Sequence, residues 1–135
     1  MIKVICGPKG SGKTKKIIDA ANGAVDTAKG HLIFITDTKR YMYDLRREIR
    51  FVDVSDYVVA GEDALCGFIK GAIAGGYDNE YVFIDGVARI AGKQLKDMAQ
   101  LFYMIEKVSD MRDLKTYITC SCEEKDLPDF AKKYL

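Results

Sequence analysis

The sequence predicts an α/β protein, a three-layer αβα sandwich around a mainly parallel sheet of about five strands. Three observations carry that prediction. Apolar runs alternate with segments of helical spacing from one end of the chain to the other. One run, Leu32-Ile33-Phe34-Ile35, is continuously apolar rather than alternating, as a strand covered on both faces is, and another, Tyr81-Val82-Phe83-Ile84, is an apolar strand ending in an aspartate. The first run, Met1 to Cys6, passes through a glycine-rich turn straight into a helical segment.

The chain has 135 residues, which suits one domain spanning residues 1–135. Hydrophobic residues make up 48% and charged residues 30%, the balance of an ordinary globular protein. A formal net charge of +1 provides no global field for nucleic acid or an acidic membrane surface. The amino-terminal run reads as a strand rather than a signal peptide. No apolar segment approaches the roughly twenty residues that cross a bilayer. The expected location is therefore the cytoplasm.

In order, the first helix is expected over Lys15 to Ala28, with Ile17, Ile18, Ala21, Ala24, Val25 and Ala28 inward, Asn22-Gly23 as a bend and Gly30 as the stop. The strand Leu32 to Thr36 follows. A short helix is expected next, with Met42, Leu45 and Ile49 on one side and Arg40, Arg46, Arg47 and Arg50 on a solvated side. One strand is expected within Phe51 to Ala60. Glu62 and Asp63 open a helix whose stripe is Ala64, Leu65, Phe68, Ile69, Ala72 and Ile73, ending at Gly75-Gly76. After Tyr81 to Asp85, Gly92 precedes a long helix with Leu95, Met98, Ala99, Phe102, Ile105 and Val108 inward. The last strand is Leu114 to Ser121, and Asp126-Leu127-Pro128 caps a short terminal helix.

The residues that carry chemistry begin with Gly7, Pro8, Lys9, Gly10, Ser11, Gly12, Lys13 and Thr14. Glycines here let the backbone curl through positive φ, which turns successive N–H groups inward as an anion nest at a helix N-terminus. In a G-x-x-x-x-G-K-[ST] loop between a strand and a helix, Lys13 would reach the β- and γ-phosphates and the Thr14 hydroxyl would bind Mg²⁺. Asp85, at the carboxyl end of an apolar strand, would be the second metal-site residue. Glu62 and Asp37 each follow a predicted strand on the side where parallel sheets bind ligands, and either would position a water or hydroxyl. Each also reads simply as a helix-start acid or cap.

Four cysteines (Cys6, Cys66, Cys120 and Cys122) fit neither a zinc knuckle nor a redox C-x-x-C. Cys120 and Cys122, alternating on one strand, read as core thiols rather than a metal pair. His31 is the only histidine, so a histidine metal site or a Ser-His-Asp triad is not expected.

On Gly7 to Thr14, Asp85 and the strand–helix alternation, the chain resembles the P-loop nucleoside triphosphatase superfamily. The resemblance implies ATP and Mg²⁺ as ligands. It also implies a sensor residue at the end of a strand lying between the loop-bearing strand and the Asp85 strand, a place that Thr119 and Ser121 fit. Asp37-Thr38-Lys39-Arg40-Tyr41 faintly resembles the segment after the second strand of bacterial-type thymidine kinases, although the zinc-bearing lasso is absent. Gly86 stands where those kinases and many ATPases carry a glutamate base. A guanine reader of the Asn/Thr-Lys-x-Asp type is also missing, because Tyr41 occupies its aspartate position, so ATP is favoured over GTP. Arg89 would act as an arginine finger, in cis or in a neighbour, or stand as a surface residue.

The expected function is a slow Mg²⁺-dependent ATPase. The alternatives are a small-molecule kinase of nucleoside type and a nucleotide-dependent assembly module without efficient catalysis, with a homo-oligomer or protein partner left open.

Overall fold

The computed structural model describes residues 1–135. The strands are β1 (Ile2–Cys6), β2 (His31–Thr36), β3 (Ile49–Asp53), β4 (Asn79–Ile84) and β5 (Lys115–Cys120). The helices are α1 (Lys13–Val25), α2 (Glu62–Ala74), α3 (Val87–Ala91), α4 (Ala99–Met111) and α5 (Asp129–Lys132). All strand pairs are parallel, and the sheet order is β1-β5-β4-β2-β3.

The continuous apolar runs of β2 and β4 are explained by what covers them. Successive strand residues point to opposite faces. Leu32, Phe34 and Phe83 therefore pack under α1 against Ile17, Ile18, Ala21 and Ala24. Ile33, Ile35, Val82 and Ile84 pack on the other face against Leu65 and Ile69 of α2 and Leu101, Phe102 and Ile105 of α4. Three layers result, with the aspartate-bearing strand β4 at the centre of the sheet. Under α1 a row of rings crosses four strands: Phe51 on Phe34 (6.5 Å between centroids), Phe34 on Phe83 (6.3 Å) and Phe83 on Tyr117 (5.1 Å). Such cross-strand aromatic pairs fix the register as well as filling the layer.

The sheet is tied at its β1 edge by the tail and at the amino ends of two strands by a side chain. At the β1 edge, Val4 N–H donates to the Tyr134 carbonyl at 2.8 Å, so the carboxyl-terminal segment covers an edge that would otherwise be free to pair. At the amino ends of β2 and β4, Glu80 Oε1 accepts both the Lys29 and Gly30 amides at 2.8 Å. No helix is long and apolar enough to cross a membrane.

Several expected boundaries are corrected. There is no helix through Met42, Leu45 and Ile49: Met42–Asp44 is a single 3₁₀ turn, and Ile49 opens β3 opposite Leu32. Leu45 and Ile49 do enter the core under α1, but the intervening loop is held by Asn22, whose side chain donates to the Asp44 carbonyl and accepts the Arg46 amide. Arg46 is spent on Asp26 and Glu48, as a solvated basic face would be. The strand expected within 51–60 ends at Asp53, whose carboxylate caps a 3₁₀ turn by accepting from Ser55 N and Oγ at 2.9 and 2.7 Å.

Asn22-Gly23 does not interrupt α1, which begins at Lys13 and stops at Val25. Ala64 is exposed and Cys66 takes its place in the α2 stripe. Gly92, at φ 65°, closes the unforeseen helix α3 rather than introducing the long one. Leu95–Asp97 forms a separate turn, and α4 starts only at Ala99. Ser121 and Cys122 lie beyond β5, so Cys120 and Cys122 do not alternate on one strand. Asp126 sits in a 3₁₀ turn, leaving Pro128 to precede α5.

Candidate functional site

The loop after β1 is held at its root by Gly7 N–H, which donates to the Cys120 carbonyl of the neighbouring strand at 3.2 Å. It then folds on itself, with Ser11 N–H donating to the Pro8 carbonyl at 3.0 Å. Gly10 and Gly12 take φ of 84° and 87°, a conformation that a side chain would strain. At Gly7 a Cβ would run into the Ser11 hydroxyl. The curl leaves the amides of Lys9, Gly10, Gly12, Lys13, Thr14 and Lys15 donating to no carbonyl, and the last three of these form the start of α1. A helix start with free amides attracts negative charge.

Lys13 lines the cleft above this loop and is only 8% exposed. It takes part in none of the protein's ion pairs. With no carboxylate within ion-pair distance, it is available to an anion that enters the cleft.

Asp85 follows β4 directly and is 3% exposed. Its amide donates to the Ile35 carbonyl at 2.9 Å, which fixes the backbone. Its oxygens are oriented from two sides: Thr119 Oγ1 donates to Oδ1 at 2.6 Å, and Thr14 Oγ1 approaches Oδ2 at 3.4 Å. Thr119 in turn accepts the Gly86 amide at 3.3 Å. Strand β5, which carries Thr119, does lie between β1 and β4. Ser121 also lines the cleft, just past that strand.

Asp37, at the end of β2, faces the same cleft and is bound to Arg89 through two hydrogen bonds, Nε to Oδ2 at 3.0 Å and Nη2 to Oδ1 at 2.7 Å. The carboxylate holds the guanidinium above its already high ordinary pKa, against the lowering effect of partial burial. Gly86 makes this pair fit. At φ 93° it would place a Cβ 2.9 Å from Arg89 Cζ, against Nη2, and 3.3 Å from Asp37 Oδ1. Any side chain at this position would press on the Arg89 guanidinium as it is placed here. That constraint is steric and lay outside what the sequence displayed.

The cleft has a volume of about 1100 Å³ and runs across the carboxyl ends of β1, β5, β4 and β2, the side on which open parallel sheets bind ligands. It brings together Lys9, Gly10, Gly12, Lys13, Thr14, Asp37 and Asp85. Glu62 is not brought to it. The Glu62 carboxylate is buried, with Oε1 accepting from Lys93 Nζ at 3.0 Å and Oε2 from the Leu101 amide at 3.2 Å, so it joins α2 to the start of α4.

All four cysteines are free, and burial pushes the Cys120 thiol up to about 12. No group of three or more His, Cys, Asp or Glu side chains is arranged to hold a metal ion unaided.

Reasoning from sequence missed the partner of Asp37, because the pair joins residues 52 positions apart. No family model and no curated protein matches this chain.

Proposed function

We propose that the protein binds Mg²⁺-ATP on the loop from Gly7 to Thr14 and hydrolyses it slowly, as a member of the P-loop nucleoside triphosphatase superfamily. The observation that carries this reading is Lys13: a cleft-lining side chain without a carboxylate partner, beside a row of unspent amides. A polyphosphate supplies the charge and the acceptors that both lack.

Magnesium fits the donors present. Thr14 Oγ1 and the Asp85 carboxylate are hard oxygen ligands close to each other, too few to enclose a cation, and magnesium retains waters and phosphate oxygens beside one or two protein groups. When bound, the ion neutralises charge on the phosphates. The protein's own groups then have distinct tasks. Loop amides and Lys13 stabilise charge on the transferring oxygens. Thr119 keeps the Asp85 carboxylate turned toward Thr14. Asp37 is the cleft carboxylate suited to orient the nucleophile, and its engagement by Arg89 supports slow rather than rapid turnover.

Titration calorimetry of Mg²⁺-ATP into the wild type and into Lys13→Ala tests the proposal. Affinity should collapse in the variant; an unchanged affinity with the fold intact removes the reading.

A small-molecule kinase is the second reading, because the cleft is also lined by Asp19 and Asn22 of α1 and by Tyr41 and Asp44, residues outside the phosphate loop. ATP consumption that rises only when a nucleoside or small alcohol is added would favour it.

A further inference from the structure

We infer that the Arg89–Asp37 pair is a latch that senses the terminal phosphate of a bound nucleotide, exchanging a carboxylate partner for a phosphate one. This deepens the nucleotide-binding proposal and rests on it.

The planar guanidinium fork matches carboxylate and phosphate equally well in shape. Here it grips both oxygens of Asp37, at 3.0 and 2.7 Å, within the cleft that the Gly7–Thr14 loop opens into. The Arg89 side chain is 55% exposed, so it has room to leave. Its helix does not: Val87, Ile90 and Ala91 of α3 are buried in the core. The moving part is therefore the arginine side chain alone, over the space that Gly86 leaves by having no Cβ.

The two cleft carboxylates differ in the same respect. Asp85 is enclosed and held by Thr119 and Thr14, whereas the partner of Asp37 is a flexible, half-exposed side chain. A terminal phosphate carries more negative charge than a carboxylate and competes for the guanidinium. Once Arg89 turns to it, the Asp37 oxygens face the nucleophile. A diphosphate ends one group short and leaves the latch shut.

Linkage sets the signs. Whatever free energy holds the latch closed is subtracted from the binding of a nucleotide that must open it. Loss of Arg89 removes a charge-assisted contact with the terminal phosphate, while a weaker hold by residue 37 makes Arg89 easier to recruit.

The test is the affinity of ADP and of a non-hydrolysable ATP analogue, measured by calorimetry with Mg²⁺ for the wild type, Arg89→Ala and Asp37→Asn. Arg89→Ala should lose about tenfold or more in affinity for the analogue and leave ADP within about twofold, the size of one charge-assisted hydrogen bond. Asp37→Asn should bind the analogue more tightly, by about threefold or more, with ADP again unchanged. Loss of a cleft carboxylate charge by itself would tighten both nucleotides, so tightening confined to the analogue is what distinguishes the latch. Equal changes for both nucleotides, or no tightening in Asp37→Asn, refute the latch while leaving nucleotide binding intact. If the wild type binds neither nucleotide, the latch falls together with the reading it rests on.

Discussion

Thr119 Oγ1 donates to Asp85 Oδ1 at 2.6 Å, joining the ends of two adjacent strands by a buried side-chain bond. The same hydroxyl accepts from the Gly86 amide, so one oxygen orients both the carboxylate and the turn that follows it. Thr119→Val keeps the shape and removes the hydroxyl. It leaves a carboxylate oxygen without its donor, which should cost about 1–3 kcal/mol of stability. Urea denaturation measures that loss, and Mg²⁺-ATP titration should show weaker binding, since Asp85 is no longer held toward Thr14.

Gly86→Ala should be destabilising on two counts. The residue has a φ of 93°, and the added Cβ falls on the Arg89 guanidinium. Backbone strain of this kind costs on the order of 1–3 kcal/mol, and Arg89 must also give up Asp37 to make room. Denaturation midpoints give the first effect. A lowered midpoint that Arg89→Ala partly restores in the double variant identifies the collision as its source. Equal destabilisation with and without Arg89 contradicts that account.

What the sequence made legible was what depends on neighbours along the chain. Gly10 and Gly12 announce a curled loop because only glycine takes their φ cheaply, and unbroken apolar runs announce the buried strands β2 and β4. Asp85 was readable as the first polar residue after such a run. The Asp37–Arg89 pair was not, because it spans 52 positions and exists only because β4 lies beside β2 in the sheet. Leu45 and Ile49 share a four-residue spacing that fits a helix, yet Ile49 belongs to a ladder with β2, which no local pattern reveals. Glu62 has the composition of a catalytic acid. Only the packing of α2 against α4 shows that both its oxygens are spent.

Glu80 makes the stability of the fold depend on pH. The Gly30 and Lys29 amides, with a smaller contribution from Lys115, hold its carboxyl below the usual glutamate range despite some desolvation. A depressed folded-state pKa means that stability is fully present above the unfolded value, near 4.3, and is lost as pH falls through the lower folded value. Glu80→Gln cannot ionise, so the wild type should be the more stable at pH 7. The gap should then narrow steadily as pH drops below about 4.3. Urea midpoints for both proteins across this range supply the check, and a gap independent of pH contradicts the assignment.

Glu62 separates a structural acid from a functional one. Its carboxylate accepts the Leu101 amide at the start of α4 and the Lys93 ammonium, and it does not line the cleft. Glu62→Ala leaves that amide buried without an acceptor, a loss of about 1–3 kcal/mol. Lys93 adds little to this figure because it is half exposed and can turn to water. Glu62→Gln keeps an acceptor for the amide and should recover part of the loss. In both variants Mg²⁺-ATP affinity and turnover, measured where the protein is fully folded, should stay within about twofold of the wild type, as expected for a substitution remote from the bound phosphates. A large fall in turnover in Glu62→Gln at unchanged stability would return Glu62 to the chemistry. It would also require α2 to swing its first turn into the cleft, breaking the bond to Leu101 that holds α2 and α4 together.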